Sequence, residues 1–155
     1  MYFLSVLGVV VISGYLMLLM MGNLNFVSFI DFPSLLTILL FEVTMLFSAG
    51  LLKDFNNAFR LAVRTKRDAE TGVPVSELRR AVEAVRLARR VSLAGGVFAL
   101  LFQIILILHN MSTPEQLGPM LAVAILTLLY ALAITLLLLP LESKLRVKLG
   151  AAAEE

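Results

Sequence analysis

Glu42 is the one ionisable side chain deep inside a long apolar run of this 155-residue chain. An acidic side chain near the centre of a lipid bilayer costs about 2.5–3.5 kcal/mol on insertion scales, and binding a proton lowers that cost. Thr37, in the same run, is not one helical turn away, so a hydrogen-bond partner must come from another helix. Glu42 is therefore a candidate ion or proton site. The alternative is a protonated acid that hydrogen-bonds a neighbouring helix at a subunit contact.

Four further polar side chains lie within apolar runs: Gln103, Thr127, Tyr130 and Thr135. Thr127 and Thr135 lie on nearly the same face of a helix, and Tyr130 is within a turn of Thr127. A row of hydroxyls lines a hydrated ion path, although threonine also hydrogen-bonds its own helix backbone. Gln103 either lines that path or bonds a neighbouring helix. With Glu42, these side chains are the candidate ion-path or pore-lining residues.

Composition excludes several classes of function. The chain has no cysteine, which rules out disulfides and thiolate metal sites. With a single histidine, a zinc site is not expected either. We find no phosphate loop, no Ser/His/Asp set and no cofactor-binding motif, so we expect neither an enzyme nor a bound cofactor. Nucleic acid is not an expected partner, because the basic residues are accounted for by membrane topology and anionic lipid.

The candidate residues belong to apolar runs that are long enough to cross a bilayer. Apolar residues make up 60% of the chain and charged residues 15%, against about half and a quarter in soluble domains. A hydrocarbon core of about 30 Å needs about 20 apolar residues in a helix. Four runs supply close to that number: 1–21, 33–52, 92–109 and 117–140.

The placement of positive charge predicts the orientation of these spans. All 13 Lys and Arg residues lie in 53–90 and 144–148. Because cytoplasmic loops carry the positive charge, both termini and the central segment are expected in the cytoplasm, with 22–32 and 110–116 outside. This pattern predicts a multi-pass membrane protein, whose basic collar also contacts anionic lipid.

The predicted fold class is all-α: an integral membrane protein with four transmembrane helices and a short cytoplasmic helical hairpin. Residues 1–52 form the first two spans, 53–91 the hairpin, 92–140 the last two spans, and 141–155 a basic tail helix. Each half of the chain thus contributes two spans, and the hairpin connects them.

The hairpin is predicted to have two arms of about 17 residues, each roughly 25 Å long. The second span continues past the membrane as the first arm until the break at 71–74, and the second arm runs straight into the third span. Apolar residues at helical spacing give each arm one stripe, and the two stripes should pack on each other. The stripes are Phe55, Phe59, Ala62 and Val63 in the first arm, and Leu78, Ala81, Val82, Val85 and Ala88 in the second.

Two segments carry a family pattern. One is Asp31-Phe32-Pro33-Ser34; the other runs from Asn110 to Leu145. The first is similar to the Asp-x-Pro-Ser that opens the second span in the MotA/TolQ/ExbB family. The second resembles that family's outer turn, its Ala-Val-Ala-Leu-Leu-Thr-Thr-x-Tyr span and its closing Pro-Leu-x-x-Lys-Leu. The matching motif residues include Asp31, Pro33, Gly118, Pro119, Thr127, Tyr130 and Pro140.

The resemblance, closest to the MotA branch of the family, implies a function. Five subunits would surround the two single-span helices of a MotB/ExbD/TolR-type partner, whose aspartate carries the proton or sodium ion. Spans three and four would line the central pore. Ion flow would rotate the homopentamer around the partner dimer and so perform mechanical work.

The chain also departs from the family pattern. Leucine stands at three positions of the family pattern. Leu93 replaces an early proline of span three, Leu100 replaces a mid-span threonine, and Leu128 replaces the second of two paired threonines. Glu42 stands at a normally small position, and the cytoplasmic segment 53–91 is short. These departures favour a compact motor that drives something other than a flagellum. The alternatives are a small transporter or channel that uses Glu42, and a non-conducting structural membrane subunit.

Overall fold

The computed structural model describes residues 31–63, 74–109 and 114–153, together with positions 7, 8, 11 and 15. All regular structure in these ranges is helical, as predicted. The predicted first span, 1–21, lies outside the described residues except at those four helical positions, and so do most of the loops. The elements are α1 (Phe32–Ser48), α2 (Leu52–Val63), α3 (Val75–His109) and α4 (Pro114–Ala153).

The two long helices, α3 and α4, indicate a membrane protein. Their most apolar 18-residue windows have mean hydropathies of 2.5 and 2.7. At 1.5 Å per residue they are about 52 and 60 Å long, so both extend beyond a hydrocarbon core of about 30 Å. Joined to α2, α1 supplies a third candidate span, which is bent by 105°.

The start of α1 agrees with the predicted helix start. Asp31 is the N-cap, and its carboxylate accepts the backbone N–H of Ser34 at 3.3 Å, which satisfies a donor that the first helical turn leaves unpaired. Pro33 lies in that first turn, where a missing N–H costs nothing.

The end of α1 corrects the prediction of one continuous helix. Instead of running on as a straight arm, α1 ends at Ser48, and α2 begins at Leu52. Gly50 adopts a left-handed backbone with φ of 66°. The N–H of Gly50 donates to the carbonyl of Phe47 at 3.0 Å, and that of Leu51 to Leu46 at 2.9 Å. This Schellman geometry closes the helix at a glycine, and the chain turns there by 105°.

After this turn, α2 packs into an apolar core with α3 and α4 at one end of the bundle. Most of the described Lys and Arg residues lie at this end, which we call the basic end. The second-arm stripe is buried as predicted. The first-arm stripe is confirmed in part, because Ala62 is buried and Phe55 packs against this core, but Phe59 and Val63 are 39% and 69% exposed. Ala58 and Leu61 are buried in their place, since the new direction of α2 presents a partly different face to α3.

Two polar contacts attach α2 to its neighbours. The guanidinium of Arg80 on α3 lies 3.0 Å from the carboxylate of Asp54. The ammonium of Lys148 on α4 donates to the carbonyl of Leu61, in the last turn of α2, where a cation is favoured by the helix dipole.

The longest helix, α4, includes the end of the predicted outer turn as well as the fourth span and the tail helix. It begins at Pro114, so the outer turn predicted at 110–116 ends earlier than expected, since proline fits the first position of a helix. It then passes Pro119 and Pro140 without a break and includes the predicted tail helix as far as Ala153.

The antiparallel pair of α3 and α4 is held close by small residues. A Cβ atom added to Gly96 would lie 2.2 Å from the Cβ of Ala131, and one added to Gly95 would lie 3.3 Å from the ring of Phe41 on α1. Small residues let helix backbones approach closely in a membrane. The positions of these glycines therefore set the spacing of the three apolar helices.

Candidate functional site

A first polar group, which we call the Thr127 cluster, joins α1, α3 and α4. It consists of Asp31, Ser34, Gln103, Thr127 and Tyr130. The Thr127 side chain is completely buried. Gln103 Nε2 donates to Thr127 Oγ1 at 2.9 Å, and Thr127 Oγ1 lies 2.8 Å from Ser34 Oγ. The hydroxyl of Ser34 in turn donates to the carboxylate of Asp31.

The hydrogen bonds that link Gln103 to Asp31 in this cluster all run in the same direction, from donor to acceptor. A carboxylate only accepts, so the single hydroxyl hydrogen of Ser34 is used on Asp31. Ser34 must then accept from Thr127, and Thr127 accepts from the Gln103 amide. The result is a chain that runs from amide to hydroxyl to hydroxyl to carboxylate. The carbonyl of Val123, 3.0 Å from Thr127 Oγ1, offers that hydroxyl a second acceptor.

Tyr130 completes the same cluster from α4. Its phenol oxygen accepts the backbone N–H of Asp31 at 2.8 Å. That N–H precedes the first turn of α1 and has no partner within the helix. Tyr130 therefore positions the residue that caps α1, while Thr127 contacts the serine of the same motif.

A second polar group, the Glu42 cluster, lies nearer the basic end. It consists of Glu42, Ser92, Thr135 and the backbone carbonyl of Ala131. Glu42 is 5% exposed, its Oε1 makes no hydrogen bond, and the Ser92 hydroxyl lies next to its carboxyl group. The hydroxyls of Ser92 and Thr135 both donate to the Ala131 carbonyl, at 3.2 and 2.8 Å.

The structure thus divides the predicted candidates into two groups. Gln103, Thr127 and Tyr130 meet at one level of the bundle, whereas Glu42 and Thr135 lie at another. Ser34 and Glu42 are separated by about 12 Å along α1, from the helical rise. Thr127 and Thr135 therefore do not form one continuous row of hydroxyls, and Thr127 lies in the interior of the helix bundle.

A third group, the Glu142 cluster, was not predicted from the sequence. Glu142 on α4 is 4% exposed. Its carboxylate lies 3.0 Å from Arg89 Nε and 3.5 Å from Arg86 Nε, both on α3, and it also pairs with Arg146 one turn further along α4. The i, i+4 spacing of Glu142 and Arg146 is the part of this cluster that the sequence could have indicated. The two arginines of α3 come close to Glu142 only because α3 packs against α4.

An open groove of about 360 Å³ between α3 and α4 adjoins the Thr127 cluster. Its lining is mostly apolar and contains one amide side chain. The lining residues are Gln103, Leu106, Ile107, Met120 and Val123. Gln103 is therefore the residue that connects the buried hydroxyl chain with the surface of the helix bundle.

The remaining motif residues lie apart from these clusters. Gly118 and Pro119 are exposed near the start of α4, and nothing lies within 4 Å of a Cβ placed on Gly118. Pro140 is partly buried, two residues before Glu142. Across 31–63, 74–109 and 114–153, no three Asp, Glu or His side chains come together as possible ligands of a metal ion.

No protein-family model, curated protein or solved structure matches this chain.

We predict that Thr127→Val destabilises the bundle by about 1–2 kcal/mol, because Gln103 and Ser34 each lose a buried partner. The measurement is the free energy of unfolding in mixed micelles. Thr135→Val is the matched control, since the Thr135 hydroxyl bonds the backbone of its own helix; its effect should be under roughly 0.5 kcal/mol. Equal losses in the two variants would contradict a special role for Thr127.

Proposed function

We propose that this chain is the MotA-like membrane subunit of an ion-driven rotary motor. In this proposal it is a four-span, non-enzymatic subunit of a bacterial inner membrane, with both termini in the cytoplasm. Five copies surround a dimer of a single-span MotB/ExbD/TolR-type partner. Flow of protons or sodium ions turns the pentamer against that dimer and performs mechanical work.

The observation that carries the proposal is the contact between the two segments that resemble the family. Asp31 and Tyr130 are 99 positions apart and share a 2.8 Å hydrogen bond. Ser34 and Thr127 are 93 positions apart and share another. Because the polar residues of both motifs pair with each other inside the bundle, the two sequence matches support one common architecture rather than two separate coincidences.

Apolar surfaces give further support. A subunit of such an assembly must offer them to lipid, to neighbouring copies and to the partner. Phe98, Leu101 and Ile105 on α3 are 60%, 56% and 63% exposed, and their spacing places them on one helix face. A second exposed row follows α4: Leu121, Ile125, Leu129, Leu132 and Leu136.

In the proposed mechanism, the partner's carboxylate carries the ion, and this subunit shapes the surface that the carboxylate meets. Gln103 lines the groove between α3 and α4, and Thr127 holds its amide at 2.9 Å. Thr127 is therefore a positioning residue, which acts on the path through Gln103. At the basic end, the Glu142 cluster and the contacts of α2 would transmit rotation as one stiff unit.

The test is the stoichiometry of the purified complex. The chain is co-expressed with a single-span membrane protein that carries an aspartate in its span and is encoded next to it. Native mass spectrometry should then give five copies with two partner chains, and a density map should show a fivefold axis around two helices. A dimer, or an assembly without room for two additional helices, would overturn the proposal.

A small proton transporter is the second candidate, favoured by the buried, unpartnered Oε1 of Glu42. In that case the chain alone, reconstituted in liposomes, should carry protons, and Glu42→Gln should stop the flux. A motor subunit without its partner should not conduct. A chain that conducts neither alone nor with the partner would instead be the non-conducting structural subunit.

We also propose that α2 lies along the membrane surface and contacts anionic lipid. α2 turns away from α1 by 105°, as a helix in the plane of the interface would. Beside its buried face it exposes an apolar sector, with Leu52, Phe59 and Val63, and next to that a polar one, with Lys53 and Arg60. Apolar side chains beside cations are typical of helices at an anionic bilayer surface.

The absence of tryptophan from this chain makes that orientation measurable. We predict that the fluorescence of Phe59→Trp is strongly quenched by lipids brominated near the headgroup, because this sector faces acyl chains. Asn57→Trp, on the exposed polar side of the same helix, is the control and should be quenched far less. Similar quenching of both tryptophans would show that α2 does not lie at the interface.

A further inference from the structure

Glu42 is buried on α1 beside Ser92 of α3, and in the part of the chain that the structure describes no ion pair involves it. On α3 the charged side chain closest in sequence to Ser92 on the inward-facing surface is Arg89, and it already pairs with Glu142 of α4 at 3.0 Å. An ionised Glu42 would thus be a buried, uncompensated charge, which proteins avoid by neutralising the group.

The hydrogens around Ser92 determine where the proton is. Ser92 has a single hydroxyl hydrogen, and its side chain is completely buried. That hydrogen is used on the Ala131 carbonyl, at 3.2 Å. While that hydrogen is on Ala131, the Ser92 oxygen can only accept from the neighbouring Glu42 carboxyl group. An ionised carboxylate has no hydrogen to donate, so in this arrangement Glu42 can hydrogen-bond Ser92 only in its protonated form.

We infer that Glu42 is a proton-binding site inside the subunit, in which the protonated carboxyl donates to Ser92 and Ser92 donates to the backbone carbonyl of Ala131. The ligand is the proton itself. This inference is independent of the motor proposal, because it assigns a proton to this chain and not to the partner's carboxylate.

The cluster also has a second arrangement that could hold the deprotonated acid. When the proton leaves Glu42 for water, the Ser92 hydroxyl rotates and donates its hydrogen to the carboxylate. The Ala131 carbonyl then keeps the hydroxyl of Thr135, which lies 2.8 Å away. Because Thr135 still donates to the Ala131 carbonyl, Ser92 can change partners without leaving that buried acceptor unpaired. Proton binding to Glu42 on α1 thereby changes the hydrogen bonds that Ser92 of α3 makes with α1 and α4.

The test is infrared spectroscopy of the full chain in lipid at pH 7. A protonated carboxyl has a carbonyl stretching band that a carboxylate lacks. The wild type should show this band, and Glu42→Gln should lose it. Glu83→Gln is the matched control, because Glu83 is half exposed and pairs with Arg86 outside the cluster; it should keep the band. Identical spectra for wild type and Glu42→Gln would overturn the inference.

Two further measurements keep the inference testable if Glu42→Gln does not fold. Ser92→Ala should keep the band and shift it to higher frequency, because a carboxyl that loses its hydrogen-bond acceptor has a stronger carbonyl bond. Wild-type protein treated with a hydrophobic carbodiimide, which modifies protonated carboxyls in apolar surroundings, should be labelled at Glu42 and not at Glu83. Absence of the band in Ser92→Ala, or of any label on Glu42, would count against the proton site.

Discussion

Gly96→Ala should separate α3 from α4 and reduce the stability of the bundle by about 1–3 kcal/mol, the usual cost of overpacking. The added Cβ would lie 2.2 Å from the Cβ of Ala131, whereas carbon atoms pack at about 3.5–4.0 Å. Neither atom can rotate away, because a Cβ is fixed to the backbone. The helices themselves must therefore move by more than about 1 Å.

The separation of α3 from α4 should also disturb the hydrogen bonds of the Thr127 cluster. Gln103 is two helical turns along α3 from Gly96, on the same side of the helix, and its bond to Thr127 spans 2.9 Å. Separation of the helices should lengthen this bond and loosen the groove beside it. In the motor proposal, Gly96→Ala should lower ion flux as well as stability, measured as proton uptake by liposomes containing the complete complex.

Two variants make the interpretation of Gly96→Ala specific. Ala131→Gly removes the opposing Cβ, so the double variant Gly96→Ala, Ala131→Gly should recover most of the lost stability. Gly118→Ala is the control for helix propensity, since nothing lies within 4 Å of a Cβ at that position, and alanine is favoured over glycine in a helix by up to about 1 kcal/mol. A failure of Ala131→Gly to rescue would refute the steric explanation.

Glu142→Gln should be the most damaging change at the basic end. Three guanidinium groups surround this carboxylate, which is 4% exposed. Arg89 Nε lies 3.0 Å from Oε2, yet neither atom has a hydrogen-bond partner, so the contact is ionic rather than a directed hydrogen bond. Removing the negative charge leaves mutually repelling cations, and we expect a loss of about 1–3 kcal/mol, as for a buried group that loses its partner.

The measurement is thermal unfolding in detergent, followed at low and at high salt. Glu142→Gln should be partly rescued by salt, because screening weakens repulsion between the partly exposed guanidiniums. Glu83→Gln removes the other acid that contacts Arg86, at 3.1 Å, but its side chain is 52% exposed. That control should change stability by no more than about 0.5 kcal/mol. Equal effects of the two changes would contradict a buried cluster centred on Glu142.

Part of the candidate site was predictable from single residues. Glu42, Gln103, Thr127, Tyr130 and Thr135 stand out because polar groups are costly among apolar neighbours. Their partners were not predictable, because a hydrogen bond such as that between Ser34 and Thr127 joins positions 93 residues apart. Ser92 was not among the predicted site residues, since nothing in its own segment shows that it faces Glu42.

Local chemistry determined the helical class, the apolar length of α3 and α4, and the start of α1 at Asp31. These properties depend on residues within a few turns of one another: hydropathy summed along a window, a capping carboxylate, a proline in a first turn. The left-handed Gly50 was also a local signal. Its consequence was not local, because the direction of α2 after the turn depends on where Ala58, Leu61 and Ala62 find apolar surface on α3 and α4.

The tertiary structure alone decided which polar groups meet. It divided the threonines of α4 between two clusters, placed a lone acid beside Ser92, and assembled three arginines from two helices around Glu142. Each of these arrangements depends on the depth and rotation of one helix against another, which close contacts such as that of Gly96 with Ala131 set. Such offsets arise from the packing of side chains distant in sequence, and no periodicity within one helix encodes them.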